Sequence, residues 1–293
     1  MAAVLVTGAS RGIGKATCLS LARAGHRVFG AMRDPARAPE LSASAAAESL
    51  PISVWSMDVD SDESVRRGVA DIIAQHGPVD ALVNNAGIER RGSIEELPLD
   101  DFRAVMETNY FGAIRCMQAV LPGMRARGSG CIVNISSVAG RISSSPLGPY
   151  AASKFALEAI SEAVAQEVKS LGIRVAVVQP GIISTDMAHA IATTASASVY
   201  PHERRFADLF AASLKTPTSP ELVADTIRAI VESDSPRFHY PVGPDAEPFL
   251  AWRASMTDEQ WIEWNAADDD TWYANVKQTF GLDARRPQTQ SAG

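Results

Sequence analysis

Tyr150 and Lys154 stand at i and i+4 in Tyr150-Ala151-Ala152-Ser153-Lys154, which opens a segment of helical apolar spacing running to about Leu171. On a helix that separation puts a phenol and an ammonium on one face. A phenol ionises near pH 10 and is a poor acid–base group at neutral pH, but a neighbouring cation stabilises its phenolate form. Each unit of lowering takes about 1.4 kcal/mol of differential interaction, which a close cation in a partly dry cleft can supply. The pair could then pass a proton. Taken alone the spacing is a weak signal, since a Tyr and a Lys at i,i+4 more often form a half-exposed helix face. Ser137 follows the apolar run Cys131 to Ser136, where its hydroxyl could hold a substrate oxygen; Ser136 is the rival for that role, and a turn-forming serine is the plain alternative.

A second set of residues lies near the N-terminus. Thr7-Gly8-Ala9-Ser10-Arg11-Gly12-Ile13-Gly14 places glycines as G-x-x-x-G-x-G between the apolar run Ala3 to Thr7 and the helical spacing of Ile13 to Ala24. Glycines permit a tight turn and let a pyrophosphate reach the helix N-terminus, whose free N–H groups and dipole favour anions. An ordinary Gly-rich turn is the alternative, and the strand before and helix after argue against it. At the end of the second apolar run the sequence reads Ala31-Met32-Arg33-Asp34. A carboxylate there would bond a ribose hydroxyl and repel a 2′-phosphate; Met32 replaces the acid, and Arg33 can grip a phosphate with planar donors. The residues favour NADP over NAD, with Arg11 as a second positive charge, although a solvated Arg33 and the adjacent Asp34 leave NAD possible. An oxidised nicotinamide beside Tyr150 would add to the lowering of its pKa.

These groups need a scaffold. Apolar runs recur at Val28 to Met32, Ile52 to Met57, Ala81 to Asn84, Cys131 to Ser136 and Val175 to Gln179, each followed by a segment of helical period. Strands alternating with helices predict an α/β chain with a doubly wound parallel sheet, apolar on both faces, whose ligands bind beyond the strand carboxyl ends where strand order reverses. The Gly8 turn falls at that place. From Met187 to Ser219 the pattern breaks into an Ala-, Ser- and Thr-rich stretch with Pro201, Pro217 and Pro220 beside it, which reads as a mobile substrate lobe. Helical period returns at Glu221 to Ser233, and Phe238 to Val242 reads as a last strand. Beyond Pro244 the chain concentrates Trp252, Trp261, Trp264 and Trp272, four of its five tryptophans, predicting a helical extension packed on the body or on a neighbouring subunit. The expected organisation is a dinucleotide-binding and catalytic domain over 1–245, with its lobe at about 187–219, and an extension over 246–293 whose last ten or so residues are disordered.

Composition narrows the function classes. The 293 residues are 46% hydrophobic and 21% charged, an ordinary globular mixture. A formal net charge of −7 repels phosphate backbones, so nucleic acid is not an expected partner. Cys18, Cys116 and Cys131 are odd in number and set among apolar neighbours, which suits reduced core thiols in the cytoplasm. Nothing reads as a signal peptide or a membrane span, and the five histidines show no metal-ligand spacing, so neither a membrane nor a metal is expected.

Taken together the motifs resemble those of the short-chain dehydrogenase/reductase family over roughly residues 3 to 245. The matching pieces are Thr7 to Gly14, Asp58-Val59, Asn84-Asn85-Ala86-Gly87, Asn109 within Thr108-Asn109-Tyr110-Phe111-Gly112, Ser137, Tyr150 with Lys154, and Pro180-Gly181-Ile182-Ile183-Ser184-Thr185. The resemblance implies a Rossmann-like fold and an active-site tetrad of Asn109, Ser137, Tyr150 and Lys154. Within it Tyr150 handles the proton, Ser137 positions the carbonyl or hydroxyl, Lys154 binds nicotinamide ribose and acidifies the tyrosine, and Asn109 holds a water on the proton path. It also implies that the cofactor touches Gly8, Ser10, Arg11, Gly12, Ile13 and Gly14, with Asp58 and Val59 at the adenine. Asn85, Ala86 and Gly87 would follow on the adenosine side, with Ile183 and Thr185 near the carboxamide and Pro180 and Gly181 also at the cofactor. Homo-oligomers, dimers or tetramers, are implied through helices at about Asp101 to Arg127 and Tyr150 to Leu171.

The expected function is an NADP(H)-dependent oxidoreductase moving hydride between nicotinamide and a small-molecule carbonyl or secondary alcohol. The alternatives are an NAD-linked alcohol dehydrogenase and a dinucleotide-binding sensor without turnover, the intact tetrad speaking against the sensor. Met187, Ile191, Val199, Phe206, Leu209, Phe210 and Leu214 suggest moderate apolar bulk in the substrate. His189, Tyr200 and His202 lie in the same lobe, where solvated or core roles are the expectation.

Overall fold

The apolar runs pair into one parallel sheet in the computed structural model, which describes residues 1–193 and 197–286. Among the described residues the strands are β1 (Ala3–Thr7), β2 (Arg27–Met32), β3 (Ile52–Ser56), β4 (Ala81–Asn84), β5 (Gly130–Ile135), β6 (Ile173–Pro180) and β7 (His239–Val242). Their order is β3-β2-β1-β4-β5-β6-β7, with Val4 opposite both Val28 and Ala81. Helices follow as α1 (Gly12–Arg23), α2 (Glu40–Ala47), α3 (Asp62–His76), α4 (Leu99–Met106), α5 (Gly112–Arg127) and α6 (Gly148–Val168). Then come α7 (Asp186–Ala192), α8 (His202–Ser213), α9 (Pro220–Glu232), α10 (Ala246–Ala254), α11 (Asp258–Ala266) and α12 (Asp269–Phe280).

Alternation along each strand divides the core into two layers. Val4, Val6 and Val28 face Cys18 and Leu21 of α1, Leu41 of α2 and Ile227 of α9. Ala3, Leu5 and Phe29 face Val65 and Ile72 of α3, Val120 of α5 and Val164 of α6. Both faces are therefore covered, and every residue of β1 and β4 is buried. Strand order reverses between β1 and β4, so the carboxyl ends of these strands open a crevice there.

Two stretches differ from what the sequence predicts. Residues 101–127 read as one regular helix, yet Glu107–Phe111 forms a π-helical turn between α4 and α5. The segment read as a mobile, irregular lobe contains α7 and α8. Thr185 caps α7 by accepting from the Ala188 N–H at 3.4 Å, and Phe206, Leu209 and Phe210 keep helical spacing after Pro201, a pattern obscured by its Ala- and Ser-rich surroundings. Residues 194–196 of that segment, and 287–293 of the tail expected to be disordered, lie outside the described residues.

The extension beyond Pro244 is helical and docks on the body. Thr257 and Gln260 form a capping box at α11, and Asp268 caps α12 through the Thr271 N–H at 2.9 Å. Trp261 Nε1 donates to the Ser143 carbonyl at 2.8 Å, in the loop between β5 and α6. From α8, Arg205 Nε meets Asp269 at 2.8 Å and Asp208 accepts from the Tyr273 hydroxyl at 2.5 Å. Among the described residues no helix is long and apolar enough to cross a membrane.

Candidate active site

The glycine turn after β1 is shaped for close approach. Gly8 and Gly12 hold φ of +65° and +53°, which L side chains rarely adopt, and a Cβ on Gly14 would strike the Gly8 carbonyl. Thr7 and Asn85 tie this turn to the end of β4. The Thr7 hydroxyl accepts from the N–H groups of Asn85 and Ala86, each at 3.0 Å, and the Asn85 amide donates to the carbonyls of Thr7 and Gly8. Arg11, at the head of α1, makes no side-chain cap, so the helix's first N–H groups are left to an anion. Its guanidinium instead reaches Asp186 at 3.4 Å, an exposed pairing.

At the end of β2, Met32 is buried and Arg33 exposed at the rim of the same cleft. Asp34, the acid that left NAD open, accepts from the Ala36 N–H at 3.0 Å and so caps a short 3₁₀ turn.

The catalytic candidates meet over the ends of β4 and β5. α6 presents Tyr150 and Lys154 on one side, with the Lys154 ammonium 5.6 Å from the phenol ring centroid and donating to the Ile135 carbonyl at 2.8 Å. Burial pulls that ammonium down to about 8, opposed by the charge of Glu158. Glu158 lies one turn further along α6 and is itself buried, held by Gln179 at 3.0 Å, His239 at 2.9 Å and Arg141 at 3.4 Å. The phenol departs from the expectation of an acidified tyrosine. In the chain by itself burial pushes Tyr150 up to about 12, and only its interaction with the Ser137 hydroxyl pulls the other way. Desolvation of the anion outweighs that interaction, and the negative charge of Glu89 adds to the rise.

Ser137 follows β5, where its hydroxyl accepts from the Ala139 N–H at 3.1 Å and lines the cleft beside Tyr150. Ser136 is more deeply buried: among the described residues its hydroxyl has no partner, and it sits where a Cβ on Gly140 would collide. Asn109, in the π-turn, is 1% exposed and stands behind the cleft wall. Its amide donates to the Ile88 carbonyl at 3.0 Å and to Ser153 at 2.9 Å, while its Oδ1 accepts from the Ile88 N–H at 2.8 Å. It braces the loop after β4 and the first turn of α6 at once.

One cleft of about 430 Å³ brings these parts together. Ser137, Tyr150, Lys154 and each of the residues named above for the cofactor line it; Asn109 does not. Val59 also packs against the start of α5, and Ile183 is buried with its backbone bridged to Thr218. From the lobe, Met187, Ile191, Phe206, Leu209, Phe210 and His202 line it, whereas Val199 is 85% exposed and Tyr200 reaches out to Glu95. His189 is exposed and pairs with Ser184 at 3.0 Å.

Several residues here carry no motif. Asp245 accepts from the Ile182 N–H at 2.7 Å and fixes the loop after β6. Glu89 lines the cleft, paired to Arg91 at 2.7 Å; burial outweighs that arginine, and the carboxyl sits above the usual range. Glu158 was visible only as the third member of an i, i+4, i+8 row with Tyr150 and Lys154. Phe249, Trp252, Trp261, Trp264, Trp272 and Phe280 of the extension form the far wall, a role that their density in the sequence does not specify.

A family model described as short chain dehydrogenase matches residues 2–196. A 3-ketodihydrosphingosine reductase of Bacteroides thetaiotaomicron is 34% identical over 269 residues, covering 89% of this chain and 95% of that protein. An NADPH-dependent pterin aldehyde reductase of Arabidopsis thaliana is 38% identical over 185 residues, 63% of this chain and 76% of its own. Among solved structures, a short-chain dehydrogenase from Streptomyces avermitilis superposes with a TM-score of 0.77 at 33% identity, covering 90% of this chain and 96% of that one.

Proposed function

The chain belongs to the short-chain dehydrogenase/reductase family, an NAD(P)-dependent oxidoreductase acting on CH–OH or carbonyl groups, and within that activity we propose that it prefers NADP(H) and uses Tyr150 as acid and base on the substrate oxygen. The observation that carries the reading is the meeting of Tyr150, Ser137 and Lys154 in the cleft that also holds the glycine turn. The turn fits a dinucleotide: two positive-φ glycines, a third with no room for a Cβ, and a helix end without a side-chain cap. When bound, the nicotinamide supplies or accepts the hydride.

The chain's own residues do the rest. Gly8 to Gly14 receive the pyrophosphate, and Lys154, held by the Ile135 carbonyl, is placed to bind the nicotinamide ribose. Ser137 aligns the carbonyl oxygen, and Tyr150, held as the neutral phenol by its burial, gives that oxygen its proton during reduction; oxidation runs from the phenolate that this transfer leaves, which takes the alcohol proton back. Asn109 acts through the loop and helix that it braces, where a water beside the Ile88 backbone would extend the proton path. Arg33, exposed at the rim while Asp34 is spent on a cap, supports NADP over NAD.

Two further readings go with this proposal. The enzyme is cytoplasmic, its three cysteines buried thiols raised by burial, Cys116 to about 12 and Cys131 to about 11. It is a homo-oligomer, with exposed Phe111 and Phe155 on the faces expected to pair. Mixing the protein with NADPH or NADH and a panel of ketones and aldehydes tests the function. Absorbance of the reduced nucleotide should fall faster with NADPH, whereas tight nucleotide binding with no oxidation across the panel would mark a sensor.

A further inference from the structure

We infer that the substrate carries a large apolar remainder beyond its carbonyl, and that α10, α11 and α12 hold that remainder against an aromatic wall; this rests on the oxidoreductase reading above. The cleft that begins at Ser137 and Tyr150 continues without a break to Phe249, Trp252, Trp264 and Phe280. Each of these four rings is only half-buried, so the chain leaves large aromatic surfaces open to a concave space beside its catalytic groups. Ordinary packing would have closed over them, and an apolar cleft next to a few polar groups is what a small-molecule site requires.

The wall is fixed in place. Trp252 takes the rings of Trp261, Trp264 and Phe280 edge-on, with centroids at 4.9, 4.8 and 4.9 Å. The Trp261 bond to Ser143 refers the wall to the loop that joins β5 to α6, and so to Ser137 and Tyr150. The Arg205–Asp269 and Tyr273–Asp208 bonds lock α12 to α8. A rigid wall at a set remove from the reacting oxygen measures the substrate.

Its polar neighbours offer little to a hydroxylated compound. The Asn265 amide donates to the Trp261 carbonyl at 2.9 Å, and Arg205 Nε is taken by Asp269. His202 and Arg205 also line the cleft, but the nitrogens that they leave without partners among the described residues, His202 Nδ1 and Arg205 Nη1, are themselves buried. The remainder that fits is therefore hydrocarbon, alkyl or aryl, and not a sugar or polyol.

The test is a series of unbranched methyl ketones from four to twelve carbons, with a hydroxylated ketone of matched length, each reduced with NADPH. kcat/KM should climb by about fourfold per added methylene until the wall is filled. The preference for long over short members should fall at least tenfold in Trp264→Ala and less in Trp252→Phe. Binding is read separately, as quenching of tryptophan fluorescence by octanamide, which has no carbonyl this chemistry reduces. A flat series, or preference for the hydroxylated ketone, overturns the inference and leaves the oxidoreductase reading standing. Quenching with no member turned over supports the wall and overturns the reading. The length series on the unmodified enzyme decides the matter even if Trp264→Ala does not fold.

Discussion

At the strand end of the cleft, Ser137 and Lys154 are held by backbone groups, the Ala139 N–H and the Ile135 carbonyl, and Gly8 by the Asn85 amide; at the far end, Trp252, Trp264 and Phe280 are held by one another. Backbone-held residues must have particular types in a particular order, because a Cβ at Gly14 or a missing hydroxyl at Ser137 has no substitute in its place. Ring-held residues need only bulk and polarity, so many arrangements of tryptophan would build an equivalent wall. Under the proposals above, chemistry thus falls to the first region and selection among substrates to the second.

Substitutions can break that division. Ser137→Ala should cost roughly 10²- to 10³-fold in kcat, the size expected for removing one donor aimed at a reacting oxygen. The loss should be the same for short and long ketones; a loss confined to long ones would erase the distinction between the two ends. Arg33→Ala should weaken NADPH by about tenfold or more, the worth of a charge-assisted contact, and leave NADH nearly unchanged. Equal effects on both nucleotides in a binding titration would remove Arg33 from the 2′-phosphate.

The smallest expected effect sharpens the strand end. Lys154 sits near 8 because burial disfavours its charge, so the ammonium is present below that pH and lost above it. NADPH affinity should be level below about pH 8 and weaken as pH rises through it. Glu158→Gln removes the charge that opposes burial, so the break should move to lower pH, by roughly one unit or less. A break that moved upward would contradict the electrostatic role given to Glu158.

The strands and most helices were legible because a parallel sheet covered on both faces demands apolar runs at a fixed rhythm, and Ala3 to Thr7 or Ala81 to Asn84 supply them. The cleft was legible for the same reason, since strand ends place Gly8, Ser137 and the head of α6 together. The π-turn at Asn109 was not, because the phase shift that an extra residue makes in a helix cannot be read from the few apolar positions of one short turn. Nor was the high pKa of Tyr150, which depends on how much of the phenol the fold dries. Tryptophan density past Pro244 announced burial but not the surface that the rings would meet.

The most direct test of the proton-transfer claim is Tyr150→Phe, assayed for NADPH binding and for turnover in parallel. The account predicts a dissociation constant within a few-fold of the parent and a loss of kcat of at least about 10³-fold, since the ring stays and only the proton carrier goes. Turnover at the parent rate with intact nucleotide binding would contradict it.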